Sequence, residues 1–174
     1  ILTPVLVMDV ATGYKYLNKV DSAGFYYDKA MSMIKKARSE NLYAGCISEV
    51  CSHYSTCKNR EKADYYLKML NQIPEEYRDY NYNSDKAIYF EAFGPEDSLI
   101  YYNQMELLDS TKYGSVSNAA CSLMEIYSKR GNYQLACHYA QIYSVANEAY
   151  LEQLRLEQTR DANNEYKYRR DMPA

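Results

Sequence analysis

The sequence predicts an all-α chain: a solenoid of about four helical hairpins followed by a C-terminal helix. Three observations predict it. Tyrosines recur in a fixed frame around small residues. Apolar and small residues fall at the offsets 0, +3, +4 and +7 that define one face of a helix. No stretch shows sustained apolar–polar alternation bounded by hairpin turns, so no sheet is expected.

Four small residues anchor the frame: Ala23, Ala63, Ser98 and Ala136. Nine residues before them stand Tyr14, Tyr54, Tyr89 and Tyr127, and three after them Tyr26, Tyr66, Tyr101 and Tyr139. Tyrosine fills 22 of the 174 positions, so eight tyrosines in eight positions is far more than composition supplies. The anchors are 40, 35 and 38 residues apart, a spacing that suits a helical hairpin with small loop insertions. A small anchor fits where the paired helices cross, since a larger side chain would push them apart.

The elements follow in order. Helices are expected over 4–17 and 21–38, 42–57 and 60–72, 81–93 and 96–108, and 115–130 and 133–147. Turn chemistry separates them at Ile73-Pro74, Gly94-Pro95-Glu96-Asp97, Tyr113-Gly114-Ser115 and Gly131-Asn132. The third unit fits least well, because Asp85 and Lys86 stand where small and apolar residues are wanted. A register shifted by one, built on Phe90 and Gly94, competes there. From Glu148 to Arg170 the sequence is Glu/Gln/Arg-rich, free of Gly and Pro, and reads as a helix. Its first half, with Tyr150, Leu151 and Leu154, can cap the array, whereas Asp161 to Arg170 has little to bury.

Leu123, Tyr127, Gly131, Tyr133 and Ala136 stand in an order that resembles the tetratricopeptide repeat. So do Asp21-Ser22-Ala23 with Tyr27 and Ala30, and Val50, Tyr54, Ala63, Leu67, Leu70 and Pro74. The resemblance implies a right-handed α-solenoid over 1–147, a capping or linker helix over 148–174, and a concave face that binds a protein or peptide partner. It implies groove positions at Met8, Thr12, Lys15 and Tyr16, then Ser48, Ser52 and Ser55, then Asn83, Phe90 and Glu91, and finally Asn118, Glu125 and Lys129. Two lysines are too few for a carboxylate clamp, and Glu91 and Glu125 would repel an acidic terminus. The expected ligand is therefore a neutral or basic internal segment, held by aromatic contact and hydrogen bonds.

The Asp-Ser-x-x-x-Tyr-Tyr style of helix and the tail Ala162-Asn-Asn-Glu-Tyr-Lys-Tyr168 are similar to Tyr- and Asn-rich repeat regions of bacterial membrane-anchored proteins. That similarity implies a periplasmic location and a fragment of a longer chain, tethered through segments outside it; the start at Ile1 rather than Met fits a fragment. The alternative function is a sensory or regulatory input domain of a membrane-tethered kinase or transcription regulator. A homodimer is a further candidate assembly.

Composition excludes some classes. A net charge of −3 and a pI near 5.5 argue against a dedicated nucleic-acid surface. No apolar run approaches the roughly 20 residues of a membrane span. The basic end, Lys167, Arg169 and Arg170, would face acidic headgroups if a membrane segment followed. No nucleophile elbow, HExxH, phosphate loop or dinucleotide fingerprint is present, so no catalytic activity and no cofactor is expected. Cys46, Cys51, Cys57, Cys121 and Cys137 are odd in number and read as buried small hydrophobes rather than disulfide partners. His53 and Cys57, four apart on a helix, could form half a zinc site, but no further donors accompany them, so packing is expected. His138, beside an anchor, is expected to serve structure.

Overall fold

The computed structural model describes residues 3–37, 40–78 and 81–171. They form eight helices: α1 (Pro4–Tyr16), α2 (Val20–Ala37), α3 (Glu40–Thr56), α4 (Arg60–Leu70), α5 (Tyr82–Phe93), α6 (Glu96–Glu106), α7 (Tyr113–Lys129) and α8 (Tyr133–Asp171). A 3₁₀ turn at Glu75–Tyr77 precedes α5, and no strand occurs among the described residues. The fold is all-α. The chain divides into two compact units, Ile1–Tyr102 and Asn103–Ala174. In the first, α1 packs on α2, α3 on α4, and α3 also on α2 and α5; in the second, α7 packs on α8.

The first helix of each hairpin ends in a left-handed residue: Asn18 (φ 55), Lys58 (φ 56), Gly94 (φ 68) and Gly131 (φ 72). In three of them the next residue's amide reaches back over the turn. Lys19 donates to the Tyr14 carbonyl, Asn59 to Tyr54 and Asn132 to Tyr127, each at 2.9 Å. The left-handed residue's own amide bonds Lys15, Ser55 or Ser128 at 3.0 Å, which satisfies carbonyls the helix would leave orphaned. In the third hairpin Gly94 bonds the Phe90 carbonyl at 2.7 Å, and Pro95 follows, with no N–H for the longer bond.

These turns correct the repeat frame. Five residues after each left-handed residue come Ala23, Ala63, Leu99 and Ala136. Leu99 is 9% exposed, while Ser98, the residue expected at the anchor, is only half-buried. The competing register is the one adopted. Counting from Tyr89 fails because the helix stops at Gly94, and the geometry of the next helix is set from that stop.

The corrected frame brings two rings together in every hairpin. Tyr14 stacks on Tyr26 with centroids 5.4 Å apart, Tyr54 on Tyr66 at 5.8 Å, Phe90 on Tyr102 at 5.4 Å, and Tyr127 on Tyr139 at 5.6 Å. The interplanar angles are 9°, 8°, 4° and 14°. Such a pair contributes about 0.5–1.5 kcal/mol beyond its buried area. The tyrosine repeat is thus a structural device that ties the end of each first helix to the middle of the second. Tyr101, which the tyrosine spacing predicts in this role, is exposed, and the Tyr89 hydroxyl instead donates to Asp64 at 2.5 Å.

Two further differences concern the second unit. The expected helices 133–147 and 148–170 are one unbroken helix of 39 residues, because no Gly or Pro interrupts 133–171. Gly114 is not in a turn but in the first turn of α7. A Cβ there would lie 3.1 Å from the Tyr150 ring, so glycine serves close approach to α8.

Candidate functional site

Polar side chains join successive hairpins at one recurring position, fourteen residues before the anchor. Glu49 occupies it on α3, and its Oε1 accepts from the Thr12 hydroxyl of α1 at 2.5 Å and from the Tyr27 hydroxyl at 2.9 Å. Asp85 occupies it on α5 and accepts from the Ser48 hydroxyl of α3 at 2.6 Å. In the second unit Ser122 occupies it on α7 and accepts from the Asn103 amide at 3.0 Å. This explains the buried Asp85 that looked misplaced. Its neighbour Lys86 is buried between the rings of Tyr82 and Tyr102, 4.6 and 4.8 Å from their centroids, and donates to the Tyr102 hydroxyl at 3.0 Å.

Of the groove positions expected in the first unit, several are thereby taken up internally. Ser48, Ser52 and Ser55 are buried, because α3 is covered by α2, α4 and α5. Ser55 donates to the Cys51 carbonyl at 2.7 Å. None of the three hydroxyls faces solvent, so a ligand lying on α3 would not reach them. Met8 is buried, Thr12, Lys15 and Asn83 are half-buried, and Phe90 is held in its ring stack. Tyr16, 85% exposed, and Glu91 remain open to a partner. On α7, Asn118, Glu125 and Lys129 form one exposed stripe, with Glu125 and Lys129 4.0 Å apart.

His53 lies inside the first unit, its ring 4.8 Å from Tyr27 and 5.0 Å from Tyr54. Burial, reinforced by the Lys15 charge, lowers its pKa to about 4, so the imidazole is neutral in the folded chain. Cys57 Sγ lies 3.8 Å from that ring. The pair that could have begun a zinc site is packed among tyrosines. Beside it Asp28 collects the Tyr54 hydroxyl at 2.9 Å and the Lys62 ammonium at 2.7 Å. Burial raises the Tyr27 and Tyr66 hydroxyls well above their usual range and pushes the Cys51 thiol up to about 12. These groups are therefore locked in neutral forms, in a cluster that fastens helices. Cys46 and Cys51 are buried as expected; Cys57 and Cys121 are half-buried and Cys137 exposed, so these three are not core residues.

An open cleft lies in the second unit. It is about 510 Å³ in volume and runs between α7, α8 and the connection before α7, lined by Leu107, Ser110, Tyr113, Val116, His138, Gln141, Ile142, Val145 and Ala146. Its walls are mainly apolar, with Ser110, Gln141, His138 and the Tyr113 hydroxyl as polar points. His138 is exposed on the cleft wall rather than packed in the core. None of these residues was among the expected groove positions. A signal is present in Ile142 and Val145, which are apolar yet lie six and nine residues after Ala136, off the 0, +3, +4 and +7 offsets of the repeat.

No protein-family model, no curated protein and no solved structure matches the chain. No helix among the described residues is long and apolar enough to cross a membrane.

Proposed function

We propose that this chain is a protein- or peptide-binding module built from hairpins of tetratricopeptide type, and that polypeptide docks in the cleft beside α8. The cleft is the observation that carries the proposal. It is of a size that admits several side chains, and Val145 stands 71% exposed on its wall. An apolar lining with a few convergent polar groups suits an apolar segment whose backbone is held by hydrogen bonds. No Asp, Glu, Lys or Arg lines it, so affinity will depend only weakly on salt. Asn118, Glu125 and Lys129 supply a second, polar contact stripe, and Glu125 disfavours an acidic end. An array of overlapping peptides, probed with the whole chain at low and at physiological salt, tests this. Neutral or basic internal segments with apolar residues are the expected hits, retained at both salts. Hits dominated by acidic free C-termini, lost at the higher salt, would overturn the proposal.

A further inference from the structure

The α8 face that lines the cleft continues beyond it. Val145, Ala149, Glu152, Leu156, Thr159, Asn163, Tyr166 and Arg170 follow one another at alternating spacings of four and three, the period of a two-helix seam. Tyr150 is level with the start of α7 through its contact with Gly114. Past that point every residue from 158 to 170 is exposed, and Leu156 and Tyr166 are 62% and 68% exposed. This part of α8 is held only as the continuation of a packed helix, and it carries apolar side chains on an open seam.

The charges say what covers it. Residues 148–157 carry Glu148, Glu152 and Glu157 against Arg155, a net −2, while 161–170 carry Lys167, Arg169 and Arg170 against Asp161 and Glu165, a net +1. A parallel pair of such helices sets like charge against like. An antiparallel pair sets the net-negative segment against the net-positive one, with Glu148 opposite Arg170 and Glu152 beside Lys167, while Glu157 meets Asp161 and the two Arg160 side chains meet near the centre. We propose that the second half of α8 pairs antiparallel with the same segment of a second copy of this chain, centred near Thr159. The pairing is isologous, so each copy contributes Leu156 and Tyr166 to the same seam. Because the seam also holds Thr159 and Asn163, the dimer is reversible rather than obligate.

Sedimentation velocity of the full chain over a wide concentration range tests this, with circular dichroism to confirm that each variant is folded. The native chain should pass reversibly from monomer to dimer. Reversing the acidic end (E148K with E152K) or the basic end (K167E with R169E) should weaken association about tenfold, and combining both reversals should restore it. Leu156→Glu should leave a folded monomer. A native chain that stays monomeric at every concentration would overturn the proposal, as would association unaffected by either reversal or not restored by the combined one. Peptide binding at the cleft is a separate property, and a monomer that still binds peptides would sink the dimer alone.

Discussion

At the residue scale, His53 is the group whose environment has the clearest consequence. Its pKa is about 4 in the folded chain against an ordinary 6.5, because burial among Tyr27 and Tyr54 disfavours the cation. The unfolded chain therefore binds the proton more readily. Stability is complete above about pH 6.5 and falls as pH drops from there to about 4, by on the order of 2–3 kcal/mol in full. Thermal melts at successive pH values should show this loss, and His53→Gln should lack this component. Equal pH dependence in the two proteins would mean that the imidazole is solvated. The neighbouring Asp28, Tyr54 and Lys62 form a satisfied polar node, and its cost when broken comes from the buried tyrosine hydroxyl left without a partner.

At the element scale, the hairpin is the unit, and its parts are a left-handed stop, a small or apolar anchor five residues on, and a ring pair. Most of this was legible in the sequence, because tyrosines at fixed offsets from alanines reflect contacts inside one hairpin. The third hairpin was not fully legible: Pro95 changes how the first helix ends, and Tyr89 imitates the expected tyrosine one position early. Buried Asp85 and Lys86 were also opaque, since Ser48 and the ring of Tyr102 meet them only once the helices pack, and only Tyr82, one turn before Lys86 on α5, is a local neighbour. The corrected frame makes a differential prediction. Ala63→Leu and Ala136→Leu should each destabilise by about 1–3 kcal/mol through overpacking. Ser98→Leu should cost less, and Leu99→Ala about 2–4 kcal/mol through the cavity it leaves. Urea melts decide it, and a larger loss at Ser98→Leu than at Leu99→Ala would return the anchor to Ser98.

At the scale of the whole molecule, the surfaces that fold the chain differ from those proposed for association. The cores of the two units hold Tyr27, Ile34, Ile47, Val50 and Leu70 in one and Ala119, Ala120, Leu123 and Ile126 in the other, while residues 158–170 bury nothing within the chain. Deleting 161–174 should shift the melting temperature by only a few degrees in a dilute monomer, whereas a shift near ten degrees would show that the segment docks within its own chain. The candidate binding surface was the least legible part of the sequence. Positions inferred by resemblance on α3 turned inward, because neighbouring helices cover that helix on several sides, whereas the cleft depends on how α8 lies along α7.

The central question is whether polypeptide binds in that cleft. Isothermal titration of the strongest peptide from the array into the native chain and into Val145→Asp decides it, since Val145 is exposed and its replacement leaves the core intact. A loss of affinity of about tenfold or more is expected, the effect of placing an unpaired charge against an apolar contact. Undiminished affinity in the folded variant would contradict binding in the cleft and move the binding surface away from α8.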